Sequence, residues 1–349
     1  MTLQVNTHMG NYPIIIKRNA LSRAGEHLRL AGRRVCIVTD TGVPAHYATA
    51  IADLCEHPVV FRFPEGEANK TMDTLQDLLR LLLKSGFDRA DAIVAVGGGV
   101  VTDLAGFAAS VYMRGIDFYN VPTTLLSMVD ASVGGKTAVD FDGYKNMIGA
   151  FWQPRAVVID PETLNTLPRR RLSDGLAEVI KMALTSDASL FEMLEETSLL
   201  PDEGEAVSNA MDEIIARALR IKTDVVEQDA RERGLRRVLN FGHTLGHALE
   251  SCTGLSSLYH GECVALGMIP MCQDETRERL IALLARNGLP TAVQLPPREQ
   301  ILAALTHDKK ADGGAIHTVL VPRVGEFCMQ TQTPEALADR LYATFEGKD

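Results

Sequence analysis

The chain has 349 residues, 46% hydrophobic and 23% charged, with a formal net charge of −10. That length predicts two domains with substantial cores, and the acidic balance excludes a nucleic-acid binder. No apolar run spans a bilayer, "MTLQVNTHMG" lacks a signal-peptide core, and six scattered cysteines without a C-x-x-C pair favour reduced thiols in a cytoplasm over a disulfide framework.

Short apolar strands and amphipathic helices alternate through the first half. Strands are predicted at 12–17, 35–40, 58–63, 91–99, 118–124 and 156–160, and helices at 20–31, 43–55, 71–85 and 100–112. In the third of these helices Met72, Leu75, Leu78, Leu79, Leu82 and Leu83 form a core-facing stripe. The alternation predicts a mostly parallel sheet covered on both faces. After "LNTLPRRR" (164–171) strand signals nearly stop. Helical patterns then occupy 173–197, 205–228, 240–252, 261–286 and 297–307, with "TVLVP" (318–322) the exception. The break sets a domain boundary at 168, with an α/β domain over 1–168 and a helical one over 169–349.

"AIVAVGGGVVTDLAGF" (92–107) is a strand, three glycines and a helix start. Glycines there let backbone N–H groups approach a phosphate at a helix N-terminus; a tight strand–helix turn needing small residues accounts for them equally well. Asp40, ending a strand, suits a ribose hydroxyl or a helix cap. In "DASVGGKTAVDFDGYKNMIG" (130–149) the P-loop spacing fails, because position 130 is Asp. Lys136, Lys145 and Asn146 are candidate anion donors beside two glycines, or polar groups on a solvated hairpin.

The helical half carries "GLAEVIKMAL" (175–184), with Glu178 and Lys181 at i, i+3, either a functional pair or a local surface ion pair. "LNFGHTLGHALE" (239–250) places His243 and His247 on one helix face, but Thr244 stands where a zinc protease needs Glu. His260 begins another apolar helix, where a single His is commonly a cap or core residue. A Glu–His–His set with an open position is a catalytic type of zinc site. Spacing alone pairs His243 with His247, so periodicity cannot choose the ligands.

Together these stretches resemble the 3-dehydroquinate synthase family. The matching segments include "PEGEANK" (64–70), "GGGVVTDLAGF" (97–107), "MRG" (113–115), "VPTTLLSMVDASVGGKTAVD" (121–140), "KNMIGAF" (145–151), "TLNTLP" (163–168), "GLAEVIK" (175–181), "RRVLNFGHTLGHALE" (236–250), "HGECVALGM" (260–268) and "DKK" (308–310). The resemblance implies a Rossmann-like α/β nucleotide-binding domain followed by an all-α metal-binding domain. It implies a lyase of the shikimate pathway that turns 3-deoxy-D-arabino-heptulosonate 7-phosphate into 3-dehydroquinate and phosphate. The family's route is transient oxidation by NAD, phosphate elimination, re-reduction and intramolecular aldol closure. Carried over by position, Glu178, His243 and His260 are the ligands of zinc, for which cobalt is a possible substitute, and His247 contacts the substrate phosphate. NAD lies along Asp40, Glu65, Gly66, Glu67, Lys70, Gly98, Gly99, Val100, Val101, Thr102, Asp103, Thr123, Thr124, Lys136, Lys145, Thr163, Leu164, Asn165 and Thr166. Lys136, Asn146, Arg114, Lys309 and Lys310 resemble phosphate contacts, with Arg114 crossing a homodimer in relatives. Lys222 and Arg236 resemble carboxylate partners, while Asp130, Lys181, Asn240 and His247 form the catalytic set.

Arg170, Arg171 and Asp174, beside the domain junction, depart from the family's pattern. Two enzymatic rivals stand beside this reading. Other sugar phosphate cyclases share the scaffold but act on substrates without a carboxylate. A metal-dependent polyol dehydrogenase shares the glycine loop and the helical metal domain, needs no anion cluster and consumes NAD stoichiometrically.

Overall fold

The computed structural model of the chain describes residues 1–202, 204–253, 258–311 and 316–346, with backbone alone at 253 and 308–311. It divides into two compact units, Met1–Pro168 with Gly204–Ala230, and Arg169–Glu203 with Arg231–Asp349.

The first unit is built on β1 (Thr2–Thr7), β2 (Gly10–Ile16), β3 (Arg34–Asp40), α1 (Ala45–Ala52), β4 (His57–Phe63), α2 (Met72–Lys84), β5 (Ala92–Gly97), α3 (Gly99–Val111), β6 (Asp117–Pro122), β7 (Lys136–Phe141), β8 (Tyr144–Phe151) and β9 (Val157–Ile159). One seven-stranded sheet runs in the order β1-β2-β9-β6-β5-β3-β4. β1 and β2 pair antiparallel and the remaining neighbours are parallel. Successive side chains of a strand point to opposite faces, so β3 sends Val35 and Ile37 to one core with Tyr47, Ala48 and Ile51 of α1. Cys36 and Val38 go to the other, with Leu75, Leu78 and Leu82 of α2 and Leu104 and Ala108 of α3. Burial on both faces is why β3 and β5 are nearly all apolar. The chain leaves β3 towards β4 and returns on its other side as β5. The strand order therefore switches between the carboxyl ends of β3 and β5, where such sheets bind ligands.

The second unit contains α4 (Arg169–Ser186) and α5 (Ala188–Glu196). After α6 (Ala210–Gln228) has returned to the first unit, it resumes with α7 (His243–Thr253), α8 (His260–Met268), α9 (Asp274–Arg286), α10 (Arg298–Ala311), β10 (Ile316–Arg323), β11 (Glu326–Gln332) and α11 (Pro334–Phe345). α4 is buried throughout Leu172–Thr185 and packs against α5 and α8, while α7 packs against α8 and α10. No helix of the described residues is long and apolar enough to cross a membrane.

Several expectations need correction. The region 20–31 forms only a 3-10 turn, Leu21–Glu26. β1, β11 and α11 arise where no element was expected, β7–β8 is the hairpin raised as one alternative for 130–149, and β10–β11 makes the second unit mostly rather than wholly α-helical. The segment 173–197 is broken by Asp187, whose Oδ1 accepts from Leu190 N (3.0 Å) and caps α5. Leu75, Leu78 and Leu82 are core, but Leu83 is 66% exposed because the buried face of α2 is narrower than its leucine stripe. A single 169–349 domain also differs from the structure, since α6 belongs with the first unit. Its buried face, including Met211, Ile214 and Leu219, lies in a unit where it packs on β1 and a π-helical turn, Ser127–Ala131.

Candidate functional site

In the first unit, Asp40 and the glycine turn stand at the ends of β3 and β5. Asp40 Oδ1 accepts from Gly42 N (2.9 Å) and Val43 N (3.1 Å), the turn-capping alternative raised by the sequence. Gly98 is the N-cap of α3 and no side chain caps that helix, so its first N–H groups point towards an anion position. The glycines are also tightly packed. A Cβ at Gly97 would lie 2.6 Å from Val101 Cγ2, and one at Gly98 would lie 3.2 Å from Thr124 Cγ2. The tight turn therefore accounts for Gly97 and Gly98, and the uncapped helix start is compatible with the phosphate reading. Val101 and Leu164 are core side chains, so they can offer a nucleotide only backbone. Thr102 Oγ1 donates to Gly99 O (3.0 Å), Thr123 N to Gly97 O (3.0 Å), and Ser127 N to Thr124 Oγ1 (3.2 Å).

Lys70 is the electrostatic centre of this unit. Buried on the loop before α2, its Nζ lies 2.6 Å from Glu67 Oε1, 3.4 Å from Asp103 Oδ2 and 3.8 Å from Asp140 Oδ1, and donates to Asn146 Oδ1 (2.7 Å). Burial works against its charge, but Asp103 and Glu67 hold the ammonium above its ordinary pKa. Burial pushes the Asp103 carboxyl up to about 7, partly offset by Lys70. Asn146 thus joins the residues expected along NAD, and Asp140 is a partner that no spacing announced. Glu65 is exposed, with its N–H on Thr41 Oγ1 (2.9 Å), and Gly66 follows at φ 101°.

The remaining first-unit residues scatter around this centre. Lys136 and Lys145 are exposed on the β7–β8 hairpin, as the surface alternative anticipated. In the segment 163–166, Thr163 Oγ1 donates to Asp160 O (2.9 Å), Thr166 Oγ1 lies 2.9 Å from Tyr47 Oη, and Asn165 Oδ1 accepts from Val207 N (2.9 Å). Asp130 sits on the π-helical turn, and buried Lys222 Nζ reaches both its carbonyl and its Oδ1 at 2.5 Å. Arg114 is exposed at φ 69°, beside Gly115, where a Cβ would strike the Trp152 ring.

The second unit gathers the metal-ligand candidates. α7 and α8 cross with their backbones nearly touching, because Gly246 faces Cys263 and Val264 while Gly267 faces Gly242 and Gly246. That crossing brings the imidazoles of His243, His247 and His260 together, with ligand atoms all within 4.8 Å of one another. Glu178 arrives from α4 and is fully buried; its Oε1 lies 3.5 Å from both His243 Nε2 and His260 Nε2. Lys181 Nζ makes an ion pair with Glu178 Oε2, and both groups are buried, which corrects the surface-pair alternative. Neither Glu178 oxygen has a hydrogen-bond partner of proper geometry, an expensive state for a buried carboxylate. Tetrahedral zinc with bonds of about 2.0–2.1 Å separates its ligand atoms by about 3.3 Å. The donor spacing and the orphaned carboxylate fit a divalent ion held by Glu178, His243 and His260.

Glu178 and His243 are in the forms a ligand needs, while His260 must release a proton when an ion binds. His243 Nδ1 lies 3.1 Å from Phe241 O, so the proton belongs on Nδ1 and Nε2 keeps its lone pair. Burial, reinforced by the Lys181 ammonium, holds His243 well below its usual pKa. Burial opposes ionisation of Glu178 too, but Lys181 and His243 keep its carboxyl well below the ordinary range. His260 is raised to about 10 against burial by Glu178 and by Glu250, whose Oε2 lies 3.9 Å from Nδ1. Glu250 shares the α7 face of His243 and His247 at i+7 and i+3, a signal the sequence contained. His247 is exposed beside the other two rings. Asn240 lies in a 3-10 turn before α7 and donates to Glu232 Oε1 (2.5 Å); Arg236, in the same turn, is buried. Lys309 and Lys310 end α10, and their side chains lie outside the described residues.

Residues 60–174 match the family described as 3-dehydroquinate synthase N-terminal, and residues 175–311 its C-terminal counterpart. The 3-dehydroquinate synthase of Streptococcus suis (strain 05ZYH33) is 40% identical over 356 residues, covering 98% of this chain and 99% of the relative. Among solved structures, 2-deoxy-scyllo-inosose synthase, complexed with carbaglucose-6-phosphate, NAD+ and Co2+, superposes with a TM-score of 0.87 at 25% identity, over 99% of this chain and 100% of that one. The 2-epi-5-epi-valiolone synthase of Streptomyces hygroscopicus subsp. jinggangensis 5008, with NAD+ and Zn2+ bound, has a TM-score of 0.87 at 28% identity over 97% of each chain.

Proposed function

The chain belongs to the 3-dehydroquinate synthase family, and on that premise we propose that it converts 3-deoxy-D-arabino-heptulosonate 7-phosphate to 3-dehydroquinate and phosphate. The observation carrying this reading is the Glu178–His243–His260 cluster with Lys181 at its buried side, in a chain similar to such synthases over nearly its whole length. NAD supplies reversible hydride chemistry, and a divalent ion, zinc or cobalt, supplies acid strength to the substrate hydroxyls.

The chain's own groups divide the remaining work. Glu178, His243 and His260 hold the ion, and the neutral Nε2 of His243 is in the form a ligand needs. The α3 N-terminus and the Lys70 cluster take the anionic and hydroxyl parts of NAD. Lys181, the buried cation of the cluster, opposes negative charge building on the substrate. Lys222 orients Asp130 for proton handling, and Asn240 is assigned to the reacting carbons. His247, Lys136, Asn146, Arg114, Lys309 and Lys310 are assigned to the phosphate. Lys222 and Arg236, buried cations, are assigned to the carboxylate that other sugar phosphate cyclase substrates lack. Arg114 acts on the neighbouring copy in a homodimer, supported by exposed Met113, Phe141, Tyr144 and Met147 on the same unit. Six free cysteines fit a cytoplasmic setting, which cell fractionation checks.

Substrate and products have the same summed composition, so turnover releases phosphate without net NADH. The test is incubation with the seven-carbon acid phosphate, zinc and NAD, following both signals, with sedoheptulose 7-phosphate and glucose 6-phosphate as parallel substrates. Phosphate from the acid phosphate alone, at constant absorbance of NADH, is expected. Turnover of a substrate lacking the carboxylate selects another cyclase, and NADH accumulating with a polyol selects a dehydrogenase.

A further inference from the structure

We propose that Asp174, Arg170 and Arg171 are positioning residues that seat His260 in the metal centre by gripping the first turn of α8, an inference that rests on the ligand set proposed above. His260 opens α8. The first N–H groups of a helix have no intrahelical acceptor, so the start of α8 is fixed only by groups supplied from outside that ladder. Two of them are supplied. Gly261 N donates to Asp174 Oδ1 at 2.6 Å, a buried bond, and Tyr259 N donates to Glu262 Oε2 at 2.8 Å.

Each acceptor is itself held. Glu262 is gripped by Arg170 through Nε–Oε1 (2.6 Å) and Nη2–Oε2 (2.7 Å), a two-point pairing that fixes orientation as well as distance. The guanidinium carbons of Arg170 and Arg171 both lie 4.2 Å from the centre of the Tyr259 ring. Asp174 stands four residues before Glu178 on α4, so one face of one helix carries both a ligand and the anchor of another ligand's helix. The approach leaves no slack, since a Cβ on Gly261 would come within 2.8 Å of Asp174 C and Oδ1. A metal site tolerates little play in its ligands. Asp174, Arg170 and Arg171 thus converge on the turn that presents His260.

The test compares metal affinity, by chelator competition with zinc, and the visible spectrum of the cobalt-loaded protein. Asp174→Ala is expected to weaken metal binding by about 10–100-fold, whereas Asp174→Asn, which keeps an acceptor for Gly261 N, stays within about threefold of the parent. Arg170 is half exposed, so Arg170→Gln folds and carries the test if Asp174→Ala does not; it too is expected to weaken binding and alter the cobalt spectrum. Unchanged affinity and spectrum in the folded variants overturn the proposal, as does equal loss in Asp174→Ala and Asp174→Asn. If His260→Ala binds metal as the parent does, the ligand set itself is wrong and the positioning role falls with it.

Discussion

His243 and His247 share a helix face, yet the two are assigned different work. Glu178 Oε1 stands 3.5 Å from Nε2 of both His243 and His260, while His247 is the exposed member of the trio. His243→Ala is expected to purify with little metal. His247→Ala is expected to keep its metal and to lose substrate affinity and elimination rate, by about 1.5–3 kcal/mol for one charge-assisted bond. Metal analysis of the two purified variants decides, and equal loss would restore the three-histidine set that the 4.8 Å cluster also permits. Spacing could not make this distinction, because Glu178 and His260 enter from other helices. Burial was equally illegible: Glu178 and Lys181 at i, i+3 look like any surface pair until α4 proves buried on every side. Asp140, which completes the Lys70 cluster, lies inside two of the quoted segments, but no spacing singles it out.

Elements carry that cluster only because α7 and α8 can approach so closely. A Cβ at Gly267 would lie 2.6 Å from Gly246 N, and backbone cannot swing aside as a side chain can. Gly267→Ala is therefore expected to cost about 1–3 kcal/mol by overpacking and to weaken metal binding by spreading His243 from His260. Thermal melting with and without zinc reads both effects, and a variant that melts and binds like the parent contradicts the crossing as a constraint. The same scale shows what sequence patterns can convey. β3 and β5 were legible because continuous apolar runs bury both faces of a central strand. The β7–β8 hairpin was raised only as a solvated alternative, since β8 lies largely exposed and has no buried face to give it a strand's apolar alternation. Residues 20–31 had helical spacing, and Ala20, Leu21, Ala24, Leu28 and Leu30 do reach the core, but only Leu21–Glu26 coils, as a short 3-10 helix, and the rest buries its leucines without helix.

At the scale of the whole molecule, exposed Phe141, Tyr144 and Met147 on the first unit are the surface we assign to a second copy, with Arg114 at φ 69° on the same unit. Sedimentation at micromolar concentration is expected to give a dimer, and Phe141→Asp combined with Met147→Asp to shift it towards monomer. A fully active monomeric parent would remove Arg114 from the phosphate set. The two-part architecture was legible from the loss of strand signals after residue 168. The return of α6 was not, because an amphipathic helix does not declare which core its apolar face will join. That return also sets a timetable for synthesis. A ribosome adding roughly 5–20 residues per second reaches the end of α6 about 3–12 s after residue 168. During that interval β1 and the turn bearing Asp130 have no covering helix, and Lys222 has not yet been made. A gene cut at residue 168 would leave this state permanent in one fragment, and strand Ile214, Ile215 and Leu219 without their core in the other.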